Sequence, residues 1–194
     1  MKSRLCFGAA IAMSASVALG ASFFAPPLPL LPEFHFSAAT AQAISQIGTA
    51  DLQGKVWIAD FVFTRCSGPC PMLSANMQAL RKRLPDDVLT VSFAVDPTHD
   101  TVQVLKRYAK RFNADPKRWF FASGSEADMR RLLGDGFKVA LARNPDAAPG
   151  EIIAHTTKFV LIGRDGRIQA YYDGLEQQSL DRLAEDAQRL SRSR

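Results

Sequence analysis

Two cysteines, Cys66 and Cys70, lie four positions apart in a segment with the residue types for redox or metal chemistry. The intervening residues 67–69 include a glycine and a proline, which let the chain bend so that the two sulfur atoms converge. Pro71 suits a first helical turn, where backbone amides stabilise a thiolate and lower the pKa of the Cys70 thiol. Such a pair can cycle between dithiol and disulfide, bind a soft metal ion, or form a static disulfide.

A metal site needs at least one more ligand, and the chain contains three histidines. His35 is predicted to be a surface residue. His99 lies in a polar turn that begins with Asp96, where a solvated imidazole is the ordinary outcome. His155 precedes a predicted strand at 158–163. Two thiolates and one imidazole form a soft set of three ligands that suits Cu(I) and can hold Cu(II), whereas zinc usually takes a fourth ligand and iron–sulfur clusters need more cysteines.

The elements around the cysteines alternate between strands and helices. An apolar run at 56–63 predicts a central strand that is covered on both faces and ends just before Cys66. Residues 72–84 carry leucine and methionine at helical spacing. The remaining predicted strands are 88–95, 118–121, 158–163 and 167–172, and the remaining predicted helices are 101–112, 126–133 and 175–190.

This order of elements predicts an α/β protein with a thioredoxin-like fold, in which helices flank a central mixed β-sheet. The cysteine pair falls at its first strand-to-helix junction. Residues 164–166 are a hairpin signal, so the last two strands add an antiparallel edge. In such a sheet the loop that enters strand 158–163 lies beside the cysteine loop, which favours His155 as the metal ligand over the other two histidines.

Composition and the amino terminus limit the class of protein. The 194 residues, 47% apolar and 22% charged, suit one domain, and the net charge of +5 forms no basic stripe of the kind that binds nucleic acid. Residues 1–24 begin with two basic side chains and continue without charge, which predicts a signal peptide or an uncleaved membrane anchor, with the anchor favoured. Cys6 lies in this segment and is interpreted as a packing residue.

The predicted organisation therefore has three parts. Residues 1–24 are the export segment, residues 25–32 form a proline-rich spacer, and residues 33–194 form the folded domain. Basic residues ahead of the apolar run place the domain in the periplasm or at another extracytoplasmic face. The sequence does not predict an oligomeric state.

The cysteine segment resembles the Sco/SenC family, copper-binding thioredoxin-like proteins involved in cytochrome c oxidase assembly. The resemblance rests on a Cys-x-x-x-Cys-Pro motif, a distant histidine before a strand, and a group of flanking stretches. The matching stretches are 54–57, 60–71, 92–97, 100–101, 105–108 and 155–162. The resemblance implies that Cys66, Cys70 and His155 bind copper, and that Asp96 lies nearby.

The chain also departs from the family pattern. The family usually has a hairpin with a turn glycine in the region that corresponds to residues 33–51. Residues 37–43 lack that glycine, so this hairpin is predicted to be altered. His99 stands where the family more often has another polar residue, which makes it a candidate for an additional metal contact.

Two functions follow from these observations. The first is a copper metallochaperone that delivers copper from Cys66, Cys70 and His155 to an oxidase subunit or another copper carrier. The second is a thiol–disulfide reductase that keeps the cysteines of the oxidase copper site reduced, an activity that uses the same cysteine pair without the histidine. A peroxidase of the peroxiredoxin type is disfavoured because Thr64 stands two residues before Cys66 rather than three.

Overall fold

A computed structural model describes residues 30–139, 142–143, 153–154 and 156–193. Their strands are β1 His35–Ala39, β2 Ile44–Gly48, β3 Trp57–Val62, β4 Leu89–Ala94, β5 Trp119–Ser123, β6 Ala142–Arg143, β7 Ile153–Ala154, β8 Lys158–Ile162 and β9 Ile168–Asp173. Their helices are α1 Thr49–Leu52, α2 Cys70–Arg81, α3 Val102–Arg111, α4 Glu126–Arg131 and α5 Gln177–Arg192, and a π-helical turn, Leu132–Gly136, follows α4.

Seven strands form one mixed sheet in the order β2-β1-β5-β4-β3-β8-β9. The three central strands, β3, β4 and β5, are parallel, and antiparallel pairs complete both edges. All six residues of β3 are buried, as expected for a strand covered on both faces. The predicted α/β fold with a central mixed sheet is confirmed, and the predicted β8–β9 hairpin turns at Gly166, which has a positive φ of 73°.

The hairpin expected at residues 33–51 is present, because β1 and β2 form a regular antiparallel pair, and its turn contains no glycine. The side chain of Thr40 closes the turn instead. Its Oγ1 accepts hydrogen bonds from the backbone N–H groups of Gln42 and Ala43, at 3.3 Å and 3.0 Å. The N–H of Thr40 donates to the carbonyl of Ala43 at 2.9 Å. A hydroxyl thereby satisfies turn amides that would otherwise need another partner.

The two faces of the sheet carry different packing. One face holds an aromatic cluster in which the ring centroid of Phe93 lies 5.4 Å from that of Phe137 and 6.5 Å from that of Phe61. Cys70 belongs to this cluster, and Cys66 packs against its edge. The opposite face packs against α2, α3 and α5 through mainly aliphatic side chains. The cysteine pair thus packs against an apolar layer in which Cys70 is buried.

Helix α2, which carries Cys70, is fastened to the sheet at its far end and along its middle. Its far end is held by Arg81, which is buried and donates from Nη1 to Thr90 Oγ1 at 2.9 Å and to the carbonyl of Arg118 at 3.1 Å. In its middle, Asn76 donates from Nδ2 to the carbonyl of Gly174 at 2.8 Å. These bonds join α2 to β4, to the start of β5 and to the end of β9.

The amino-terminal predictions fall largely outside the described residues. Residues 1–24 and most of the spacer are not described, and the described chain begins at Leu30, which forms a bridge with Arg167. Across the described ranges, which start at residue 30, no helix combines the length and apolar character needed to cross a bilayer. The export segment and its cleavage therefore stay predictions.

Candidate metal and redox site

Cys66 and Cys70 lie where β3 leads into α2, and both are reduced thiols. Cys70 is the first residue of α2 and only 1% exposed, whereas Cys66 is partly exposed. The backbone N–H of Cys66 donates to the carbonyl of Phe63 at 3.0 Å, which closes a turn at the end of β3. Residues 67–69 are exposed. The pair therefore presents one sulfur to an incoming molecule and keeps the other inside.

The prediction that the start of α2 lowers the pKa of Cys70 is wrong. Burial of the thiol raises its pKa well above the ordinary value, because the thiolate loses its hydration. A hydrogen bond with Cys66 and the charge of Asp60 raise it further, and the backbone at Phe63 lowers it only in part. The environment of Cys70 therefore favours its thiol form over its thiolate form.

This asymmetry predicts selective alkylation. When the reduced protein is treated briefly with iodoacetamide, Cys66 is expected to react at least about tenfold faster than Cys70, since only an accessible thiolate attacks the reagent. Peptide mass spectrometry at short times measures the two adducts, and Cys6 provides a third site to be distinguished by its own peptide. Unfolding in urea should make the rates of Cys66 and Cys70 equal. Faster labelling of Cys70 in the folded protein would contradict the assignment.

A buried carboxyl group, Asp60, lies in the middle of β3. Ser92 donates its hydroxyl to Asp60 Oδ1, and Trp119 donates from Nε1 to Ser92 Oγ at 2.9 Å. Within the described part of the chain, Oδ2 of Asp60 has no hydrogen-bond partner and is inaccessible to solvent. Burial raises the pKa of this carboxyl from 3.8 to about 7, although the bond from Ser92 opposes the shift. Sequence reasoning missed this residue, although an aspartate inside an apolar strand was a visible signal.

The turn after β4 borders the cysteine loop. Asp96 is buried there, and its Oδ2 accepts a hydrogen bond from Arg65 Nη2 at 2.8 Å. The guanidinium of Arg65 also lies 5.6 Å above the ring of Phe63. Asp100, at the other end of the turn, bonds to Thr64. Asp96 therefore lies close to the cysteine loop, where its carboxylate binds Arg65, the residue next to Cys66.

The three histidines differ in how far the structure describes them. His35 is exposed at the start of β1, as predicted. His99 is exposed in the turn after β4, and its backbone N–H donates to the carbonyl of Asp96 at 3.1 Å. His155 lies outside the described residues. Among the residues that are described, no three Cys, His, Asp or Glu side chains form a group that could hold a metal.

A dithiol at the junction of a central strand and a helix, on a mixed sheet with parallel core strands, defines a thioredoxin-like dithiol protein. A family model described as SCO1/SenC matches residues 27–192. The chain therefore belongs to the SCO1/SenC family.

Individual relatives agree with this assignment. The chain is 32% identical over 149 residues to the SCO1 protein homolog of Bacillus subtilis, covering 75% of this chain and 76% of the relative. A SCO1/SenC family lipoprotein from Bacillus anthracis matches with a TM-score of 0.74 and 33% identity, over 86% of this chain and 98% of that one. BsSco, described as a member of the Sco family of cytochrome c oxidase assembly proteins with a disulfide switch, matches with a TM-score of 0.73 and 28% identity, over 88% and 98%.

The fold is also shared with a copper-bound protein. Bradyrhizobium japonicum ScoI, solved with copper bound, matches with a TM-score of 0.67 over 84% of this chain and 99% of that one. Its sequence identity is 20%, so this similarity shows a common fold.

Proposed function

We propose that this protein is a copper metallochaperone for the assembly of cytochrome c oxidase, with copper as its cargo. The observation that carries the proposal is the reduced pair, Cys66 and Cys70, on the strand-to-helix junction of a SCO1/SenC protein. Two thiols are soft donors that favour Cu(I) and also bind Cu(II). Because Cys66 is partly exposed on an open loop, a receiving protein can reach the cargo from one side.

We propose His155 as the third ligand, and the pairing of β3 with β8 supports this choice. The two strands are antiparallel, with Trp57 opposite Ile162 and Ala59 opposite Val160. The carboxyl end of β3, which leads to Cys66, and the amino end of β8 therefore meet at the same edge of the sheet. His155 precedes β8 by three positions. An extended chain of that length spans about 10 Å, so His155 belongs to the loop at this end of the sheet.

Copper titration of the reduced protein tests the proposal. We expect one Cu(II) per chain, with absorption bands from thiolate-to-copper charge transfer, and tight binding of Cu(I) against a chelating competitor. The variant Cys66→Ser should lose the bands and, in cells, lower the copper content of the oxidase. Failure of the reduced parent protein to bind copper stoichiometrically would remove the basis for a chaperone.

The thiol–disulfide reductase is the second candidate, and one observation favours it. A partly exposed Cys66 next to a buried Cys70, whose pKa is raised by burial, is the arrangement in which one thiol attacks a target disulfide and the other resolves the mixed disulfide. The attack leaves Cys66 bonded to one target sulfur and releases the other as a thiol. Cys70 then displaces the bound sulfur, which leaves a Cys66–Cys70 disulfide and a reduced target. Reduction of a model disulfide substrate by the apo protein measures this activity.

The location is part of the same proposal. We place the domain at the periplasm or another extracytoplasmic face, attached to the membrane by residues 1–24. The support is the sequence of that segment and the description of the Bacillus anthracis relative as a lipoprotein. Amino-terminal sequencing of the mature protein from membrane and soluble fractions distinguishes an anchor from a cleaved signal. The proposed partner is the copper-binding subunit of the oxidase or another copper carrier.

A further inference from the structure

Asp100 directs both oxygens of a buried carboxylate at one residue of the cysteine loop. Its Oδ2 accepts the backbone N–H of Thr64 at 3.1 Å, and its Oδ1 accepts a short hydrogen bond from the Thr64 hydroxyl. Asp100 is 0% exposed, and its own backbone N–H donates to the carbonyl of Asp96 at 2.8 Å. The turn after β4 therefore holds Thr64, two residues before Cys66, by two hydrogen bonds.

The position of Cys66 depends on the Thr64–Asp100 hydrogen bonds more than the position of Cys70 does. Cys70 is buried at the start of α2, a helix whose middle and far end are hydrogen-bonded to other elements of the fold. On the other side of Cys66, residues 67–69 are exposed, and a Cβ placed on Gly68 would make only an ordinary contact with the Cys66 sulfur, at 3.8 Å. The backbone segment between Phe63 and Cys66 therefore sets the separation of the two sulfur atoms.

We propose that Asp100 is a positioning residue for the Cys66–Cys70 pair. By holding Thr64, it keeps the Cys66 sulfur where the reduced pair and a bound copper ion need it. The copper part of this inference rests on the proposed function, whereas the redox part does not. A disulfide ties the loop covalently to α2, so loss of the Thr64–Asp100 bonds disturbs the dithiol more than the disulfide. Asp100 acts through Thr64 in the way that outer-shell carboxylates orient ligands.

The experiment measures the dithiol–disulfide equilibrium of the full-length chain and of its variant Asp100→Asn. The reaction converts the protein dithiol and one glutathione disulfide into the protein disulfide and two glutathione molecules. Asp100→Asn is expected to raise the equilibrium constant for disulfide formation by about tenfold and to weaken copper binding by the reduced protein by about 10–100-fold. The variant Thr64→Val keeps the backbone N–H bond and loses the hydroxyl, so it should shift both quantities in the same direction by less.

A control variant separates positioning from general destabilisation. Asp51→Asn weakens another carboxylate-to-backbone bond, which Asp51 in α1 accepts from the N–H of Gly48 at 2.8 Å. Gly48 is the last residue of the edge strand β2, which β1, β5 and β4 separate from β3. Asp51→Asn should leave the glutathione equilibrium unchanged. If Asp100 were only structural, its variant would lower the free energy of unfolding of the oxidised and reduced proteins equally and leave the equilibrium constant unaltered.

That result would overturn the inference, and Thr64→Val carries the same test if Asp100→Asn does not fold. A parent protein that binds no copper, combined with a shifted equilibrium in the variants, would reject the proposed copper function and retain the role of Asp100. Normal copper binding by the parent, combined with an unchanged glutathione equilibrium in the variants, would retain the proposed copper function and reject the role of Asp100.

Discussion

Replacing His155, the proposed third ligand, with alanine is expected to weaken copper binding by the reduced protein by more than about 100-fold, because removing a direct ligand has a larger effect than removing an outer-shell partner. The same variant should reduce a disulfide substrate at the parent rate, since thiol exchange needs only Cys66 and Cys70. Competition for Cu(I) with a chelator of known affinity measures the first effect, and turnover of a model disulfide measures the second.

The chain offers matched controls for this experiment. His35 and His99 are exposed histidines on other elements, so His35→Ala and His99→Ala should bind copper as the parent does. A loss of affinity in His99→Ala with none in His155→Ala would identify His99, in the turn after β4, as the third ligand. Parent-like affinity in all three variants would show that only the two cysteines of this protein bind the copper ion.

Asp60→Asn is expected to make the protein more stable at neutral and alkaline pH. The folded-state pKa of Asp60 is about 7 against 3.8 for the ordinary group, so the unfolded chain releases the proton first as the pH rises. Between about pH 4 and pH 7 this residue lowers the free energy of unfolding by about 4 kcal/mol, after which its effect is constant. Urea denaturation of the parent and the variant across that range measures the difference.

The pH dependence identifies the cause of the change. Near about pH 3 the parent carboxyl is mainly neutral in both the folded and the unfolded state, so the two proteins should differ little, and the gap should open as the pH rises. Asp181→Asn is a useful control, because Arg83 and Gln177 lower the pKa of that exposed carboxyl. Its variant should show no gain at high pH. A gap between Asp60→Asn and the parent that stayed the same at every pH would show that packing, and not ionisation, separates them.

The order of strands and helices follows from local patterns of sequence. The apolar run of β3 and the helical spacing of α2 predict both elements, and their observed ends differ from the predicted ones by only a few residues. The cysteine pair is predictable because its spacing and its position after a strand are local features. The β1–β2 hairpin is not, because its turn does not require the glycine on which the prediction depends, and the Thr40 hydroxyl meets the same need.

The environment of the site is harder to predict because it depends on contacts between distant segments. Cys70 stands at a helix start, which favours a low pKa, yet the aromatic layer and Cys66 next to it reverse the direction. Asp100 is 36 positions from Thr64 in the chain and meets it only through the parallel pairing of β3 and β4. Sequence motifs identify the chemical groups of the site, whereas contacts made through the sheet set their pKa values and their hydrogen-bond partners.

The bonds of Arg81 at the far end of α2 have a consequence for how a partner meets this protein. With that end joined to β4 and to the residue before β5, we expect α2 to keep its tilt when a copper ion binds, so that any rearrangement falls on the loops beside the cysteine pair. On the proposed function, a partner that receives copper would therefore meet a preformed surface. Its association rate should be set by diffusion and orientation and not by a slow opening step, so the rate observed by stopped-flow should remain linear in partner concentration.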